Sequence, residues 1–322
     1  MNIGTKAGLT MGKATRDAFG RALQELGSQY AGVVTVDGDV GNSTRTEWFA
    51  QSFPDRAFNV GIAESNMVSV AGGLASTGKI PVVASFACFL MCNAFDQIRM
   101  SVAFPGANVK LVGTHAGVSI GEDGPSQMGI EDVALACSLA GVTVMVPCDE
   151  PSAVKATEAM LKHDGPTYLR LGRVKVPVVY ENGCDFQIGT ANTVRDGGDV
   201  TIIANGLMVA VALDAAVDLA AAGVEARVID MHTVKPIDEA AIAAAAKETG
   251  AIVVAEEHLP HGGLGAAVAT AVAATHPVPV EFVNIGDRYA ESGDPQGLID
   301  KYGLTPAAIV AAANRVRSRA GK

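Results

Sequence analysis

The stretch Ala57-Phe58-Asn59-Val60-Gly61-Ile62-Ala63-Glu64-Ser65-Asn66-Met67 passes from an extended run into an apolar helix, with one acidic residue at the junction. Ala57–Val60 reads as a short buried strand. Met67–Leu74 reads as a helix whose alanine and glycines allow close packing. A carboxyl group at such a junction is half desolvated, and burial favours its neutral form, able to donate or share a proton near neutral pH. The same residues also suit an ordinary helix-start carboxylate satisfied by backbone N–H groups. The rest of the chain has to choose between these readings.

A length of 322 residues suggests about two domains of ~150 residues. Hydrophobic residues are 49% of the chain and aromatics only 5%, so the core must be built from Ala, Val, Ile and Leu, as in α/β proteins. A net charge of −10 without a Lys/Arg-rich block argues against a nucleic-acid partner. The five cysteines, Cys88, Cys92, Cys137, Cys148 and Cys184, are odd in number and lack CxxC spacing. Neither a disulfide framework nor a metal site is expected from them. Met1–Gly20 lacks a signal-peptide core, and no window reaches the ~18–20 apolar residues that span a bilayer. A cytoplasmic protein with no membrane segment is the expectation.

Apolar runs of strand length at Val33–Val36, Phe58–Val60, Pro81–Ala84, Val109–Val112, Thr143–Val146 and Thr167–Leu171 alternate with helical patterns. These patterns lie at Lys13–Leu26, Ser65–Ser76, Asn93–Ala103, Ile130–Ala140 and Pro151–Lys162. The rhythm predicts a parallel sheet covered on both faces. Tyr180–Gly189 interrupts it as a polar, glycine-containing linker. A second unit follows, with strands at Val200–Ala204, Glu225–Ile229, Ala251–Ala255 and Val280–Asn284 and helices at Met208–Ala222, Asp238–Thr249, Gly263–Ala274 and Pro306–Arg317. The fold class is therefore α/β: two successive doubly wound domains with mainly parallel sheets, spanning 10–180 and 190–320, joined by 181–189.

Right-handed crossovers put the C-terminal ends of parallel strands along one edge, where ligands bind. Five polar or aromatic features fall there: Asp39 with Ser43, Glu64, Phe86 with Phe89, His115 with the loop Gly117–Gln127, and Arg173. Singly, each has an ordinary explanation: turn and capping residues, core rings, a structural histidine, a surface cation. The loop is harder to dismiss, since eleven residues with three glycines is long for a compact α/β connection, and excess loop length is more often functional.

Gly61–Met67 (GIAESNM), the phenylalanine pair followed by Ala94–Met100 (AFDQIRM), and above all Thr114–Met128 (THAGVSIGEDGPSQM) together resemble transketolase. Glu256-Glu257-His258 and Gly262-Gly263-Leu264-Gly265 resemble that family's C-terminal domain. Transketolases are about twice this length. The part without a counterpart is the N-terminal domain, which binds a diphosphate through Mg²⁺ with a GDG and, further on, paired asparagines. Here Asp37-Gly38-Asp39 is not GDG and no Asn-Asn occurs. The chain thus resembles the pyrimidine-binding plus C-terminal half of a split enzyme, which implies a separate partner subunit carrying the Mg²⁺ ligands, in an α2β2 assembly.

The resemblance implies thiamine diphosphate as coenzyme and transfer of a two-carbon ketol unit from a ketose phosphate to an aldose phosphate. It makes Glu64 the catalytic acid on the aminopyrimidine N1′ and sets Phe89 and Phe86 against that ring. Asp39 would approach the coenzyme across a subunit boundary. Arg16, Ser43, His115 and Arg173 would hold the sugar phosphate, and Asp123 would accept its hydroxyls. Gln127, where many members have histidine, would be a neutral hydrogen-bonding group. Xylulose 5-phosphate with ribose 5-phosphate is the default pair, and a modified sugar such as apulose phosphate an alternative. Two other readings stay open: the β subunit of a 2-oxoacid dehydrogenase, and a subunit without catalytic activity.

Overall fold

The computed structural model describes residues 1–322. Its strands are β1 (Met11–Ala14), β2 (Val33–Asp37), β3 (Ala57–Asn59), β4 (Ile80–Phe86), β5 (Lys110–Thr114), β6 (Thr143–Met145), β7 (Thr167–Arg170) and β8 (Lys175–Pro177), then β9 (Asn192–Arg195), β10 (Val200–Ala204), β11 (Ala226–Asp230), β12 (Thr233–Lys235), β13 (Ile252–Ala255) and β14 (Val280–Val283). Two α/β sheets result. The first is seven-stranded, in the order β12-β6-β7-β5-β4-β2-β3, and the second five-stranded, in the order β14-β13-β10-β11-β9. Within each, the interior pairs are parallel. Strands β4 to β7 are buried along almost their whole length because helices cover both faces.

Apolar periodicity misses the short antiparallel edges. The β1–β8 pair closes against the first unit, β9 borders the second sheet, and β12 leaves the second unit to pair with β6 of the first. Such strands are only three or four residues long, so they carry no apolar period. The stretch Tyr180–Gly189 forms neither helix nor strand, yet it is tied down. Tyr180 Oη donates to Asp230 Oδ2 at 2.7 Å, and Phe186 stacks on His232 with centroids 3.9 Å apart.

Two expectations are corrected. The strand before Glu64 is not buried: β3 is the sheet's outer edge, with Phe58 41% exposed and Asn59 exposed. The expected helix at Asn93–Ala103 is wound as π-helix over Phe89–Asn93 and Ile98–Ala103, with a short α-turn at Phe95–Gln97 between them. Extra residues per turn of this kind occur often at functional sites, and here they directly follow the phenylalanine pair.

One apolar core runs across both units. Phe86, Val118, Ile120, Met128 and Ile130 of the first belong to the same buried cluster as Ile202, Val253, Leu298 and Ile309 of the second. The Gly117–Gln127 loop is thus a packed element between the two sheets.

Candidate active site

In the first sheet the chain passes from β2 out to β3, then returns to the other side of β2 as β4. This reversal opens a crevice between the C-terminal ends of β2 and β4, the position where open α/β sheets bind ligands. Glu64 lies in it. It is the first residue of the helix Glu64–Ser76 and is 6% exposed. Its Oε1 accepts from Ser85 Oγ of β4 at 3.0 Å. On the other side, a Cβ placed on Gly38, just after β2, would stand 3.9 Å from the same oxygen. Glu64 Oε2 has no partner within the chain.

Strand alternation sends Ser85 and Phe86 to opposite faces of β4. Phe86 stacks on Phe89 with centroids 5.2 Å apart and planes at 5°, and on His115 at 3.8 Å and 11°. His115 follows β5 with a left-handed φ of 57° and is 3% exposed. Its Nε2 lies 2.6 Å from Arg16 Nη1, and its Nδ1 lies 2.8 Å from Thr114 Oγ1. Arginine can only donate, so Nε2 accepts and Nδ1 carries the proton. Thr114 Oγ1 in turn donates to the Ser85 carbonyl at 3.3 Å. Burial and the positive charges of Arg16, Arg173 and Arg45 push the His115 imidazole down to about 3, which keeps it neutral.

Arg16, in the helix Thr15–Leu26, also donates to the Ser43 carbonyl at 3.0 Å, while its buried Nε has no hydrogen-bond partner. Burial and neighbouring Arg45 lower its pKa. Arg173 donates to the Ile120 carbonyl at 3.2 Å and to Asp123 Oδ2 at 3.0 Å. Arg16 meets the neutral ring directly, while Arg45 is paired with Asp17 and Arg173 with Asp123.

The expected residues fall into three groups. Arg16, Ser43, Phe86, Phe89 and His115 share one contact network. Glu64 joins it through Ser85 and Thr114, and Arg173 with Asp123 flanks it. Asp39 stands apart: it is exposed, has φ 66°, and its Oδ1 accepts from Asn59 Nδ2 at 2.9 Å. It lines a separate cleft of 460 Å³ with Asp37, Glu47 and Phe58, open at the β3 edge. Gln127 is half-buried, and only its backbone N–H is engaged, with the Gly124 carbonyl at 3.0 Å. Sequence reading overlooks Ser85 and Thr114. A small hydroxyl residue inside an apolar strand was the available signal.

The second sheet has an equivalent crevice between β10 and β13, but the chain fills it itself. The Glu256 carboxylate accepts from the N–H groups of Leu264 at 2.7 Å and Gly265 at 2.8 Å, capping the helix Leu264–Thr275. A helix N-terminus that could hold an external anion is thereby occupied by the chain's own carboxylate.

Fold and site together define an α/β protein with a buried acid at the switch point, a stacked aromatic pair and a neutral histidine beside an arginine. Comparison with known proteins gives the family. Residues 11–178 match the pyrimidine-binding domain of transketolase, and residues 189–309 its C-terminal domain. The chain is 41% identical to a 6-deoxy-6-sulfo-D-fructose transketolase subunit of Clostridium sp. (strain MSTE9), over 94% of each chain. It is 39% identical to human transketolase over 95% of its own length and 49% of the human protein, so it spans about half of a full-length member. A solved structure described as a split gene transketolase, inactive beta4 tetramer, superposes with a TM-score of 0.88 at 43% identity, covering 96% of this chain and 99% of that one. The chain belongs to the transketolase family, as the pyrimidine-binding and C-terminal half of a divided enzyme.

Membership implies thiamine diphosphate. The residues fit its pyrimidine end: a buried carboxyl with one oxygen uncommitted, at the crevice that also receives the Phe86–Phe89 ring pair.

Proposed function

We propose that this chain is the subunit of a two-component transketolase that binds the pyrimidine ring and the sugar, transferring a two-carbon ketol unit from a ketose phosphate to an aldose phosphate. The observation that carries this reading is Glu64, buried at the switch point with Oε1 fixed by Ser85 and Oε2 free. When bound, thiamine diphosphate supplies the carbanion chemistry that the side chains lack. Glu64 would hold or share a proton at Oε2 toward the pyrimidine N1′. Phe86 and Phe89 would exclude water and flank the ring, and offset aromatic contact adds about 0.5–1.5 kcal/mol beyond area burial.

Arg16, Arg173, His115 and Ser43 would hold the anionic end of the sugar. Arginine suits the task because its planar fork donates parallel hydrogen bonds to an oxyanion. His115, acceptor at Nε2 in this chain, would turn toward the substrate as Arg16 engages the anion. Asp123 and Gln127 would contact sugar hydroxyls, with Asp123 exchanging its pairing to Arg173. Asp39, exposed at the β3 edge, would meet the coenzyme from the side where a partner subunit sits.

The partner would carry the diphosphate-binding domain and its Mg²⁺ ligands, in an α2β2 assembly. Supporting this, the solved relative made of β chains alone is described as inactive. The 41% identical relative acts on a sulfonated ketose, so the terminal anion of the sugar is phosphate or a close mimic. We place the enzyme in the cytoplasm, where its five free cysteines would stay reduced. No helix is long and apolar enough to cross a membrane.

The test is reconstitution. This chain alone, with Mg²⁺ and thiamine diphosphate, should not convert xylulose 5-phosphate and ribose 5-phosphate, and adding the N-terminal-half subunit should start ketol transfer. Turnover by the isolated chain would refute the divided-enzyme reading, and release of CO₂ from a 2-oxoacid by the pair would refute transketolase.

A further inference from the structure

We propose that the second unit moulds the substrate loop of the first, with Glu257 as the positioning residue that fixes Val118–Ile120 and, through it, Asp123. This deepens the transketolase reading and rests on it. Glu257 follows β13, and its backbone carbonyl accepts from Arg170 Nη2 of β7 at 2.9 Å, which pins the residue against the first sheet. Its side chain then crosses to the loop, where Oε1 accepts the Ser119 N–H at 2.6 Å. It is 5% exposed, so no water competes for that bond.

The three glycines inside the loop report the same moulding. Gly117, Gly121 and Gly124 all have left-handed φ, at 84°, 86° and 82°. Each presses its missing side chain against a different group of the second unit. A Cβ on Gly117 would stand 2.1 Å from Glu257 Cδ, one on Gly121 2.8 Å from Pro295 Cγ, and one on Gly124 2.2 Å from Ser292 Oγ. The loop's path is therefore complementary to the second unit at three successive points, and glycine is the only residue that fits both the backbone angle and the space. Two residues before Gly117 stands His115, and between Gly121 and Gly124 stands Asp123, hydrogen-bonded to Arg173. A carboxyl of the second unit thus sets the distance between the arginines and the acid expected to read the sugar.

Burial pushes the Glu257 carboxyl up to about 7, so a neutral amide is a fair replacement, and the Gln oxygen can accept the Ser119 N–H. The experiment compares Glu257→Ala and Glu257→Gln in the enzyme reconstituted with its N-terminal-half partner. Three quantities are read: KM for xylulose 5-phosphate, the concentration dependence on thiamine diphosphate, and the hydrogen-exchange rate of the Ser119 amide.

Glu257→Ala should raise KM about tenfold, the loss expected for one buried hydrogen bond. It should speed Ser119 exchange while leaving coenzyme dependence unchanged, and Glu257→Gln should restore both affected readouts. Equal effects of Ala and Gln, or unchanged exchange in Glu257→Ala, would overturn the proposal. If the wild-type pair shows no ketol transfer, the functional reading fails and the exchange data alone decide whether Glu257 holds the loop. Should Glu257→Ala not fold, Gly124→Ala tests the mould from the Ser292 side, and an unchanged KM and loop exchange there would count against it.

Discussion

Arg16 Nη1 donates to His115 Nε2 at 2.6 Å, and this contact makes the histidine a neutral acceptor locked between an arginine and Thr114. Burial, with the charge of Arg16 added to it, pushes the His115 imidazole from 6.5 down to about 3 in the folded chain. Between those values the unfolded chain binds a proton that the folded chain does not, so this site's stability is full at neutral pH and falls as pH drops below about 6.5. His115→Asn keeps a residue tolerant of left-handed φ and removes the imidazole. Urea unfolding at pH 7 and pH 5 should show a smaller loss on acidification in the variant than in the wild type.

Asp230 works in the opposite direction. Fully buried between Tyr180 Oη at 2.7 Å and Cys148 Sγ at 3.4 Å, its carboxyl is pushed by burial from 3.8 up to about 7. Over that window the folded chain holds a proton that the unfolded chain has released. The contribution is complete below about pH 4 and is lost as pH rises through 7. Asp230→Asn should flatten the stability profile between pH 5 and 8, with its gain over the wild type greatest at pH 8, as chemical denaturation would measure.

Glu64→Gln keeps an oxygen to accept from Ser85, so its melting temperature should match the wild type while reconstituted turnover falls by about 10²–10⁴-fold, the usual loss for a general acid–base group. Ser85→Ala should behave differently. It strands the buried Glu64 Oε1 without a donor, at a cost of about 1–3 kcal/mol in unfolding free energy. Full activity in Glu64→Gln would sink the assigned role of this acid.

Arg173→Ala should cost little stability, within about 1 kcal/mol, because a third of each partner of the Arg173–Asp123 pair is exposed and solvent screens it. Its KM for a phosphorylated ketose should rise about 10–100-fold, the value of hydrogen bonds to a charged group. Steady-state kinetics with the unphosphorylated ketose as control should show no such change.

Much of this was legible in the residues. The interior strands of both sheets could be located because both faces are covered and most positions are apolar. Glu64, His115 and Arg173 stood out because crossover handedness sends strand ends to one edge. Of the outer strands, β3 and β14 were located, although β3 reads as buried yet lies open, while β1, β8, β9 and β12 are too short for a period to show. The π-winding after Phe89 left no trace either, since α- and π-turns share composition. Ser85 and Thr114 were visible only as hydroxyls inside strands, and such a group acquires a role only from the neighbour it meets across the sheet.

By itself the sequence determined the α/β class, the order of its two units and which strand ends share one edge, because burial periodicity and crossover handedness are local, chiral properties of the chain. Tertiary structure alone decided which acid oxygen is free, which tautomer His115 adopts, and that Glu256 fills one crevice while Glu257 reaches into the other unit. Glu64 and Ser85 stand 21 residues apart, Arg16 and His115 99, and Glu257 and Ser119 138, and only folding brings each pair within hydrogen-bond distance, a relation that apolar periodicity does not carry.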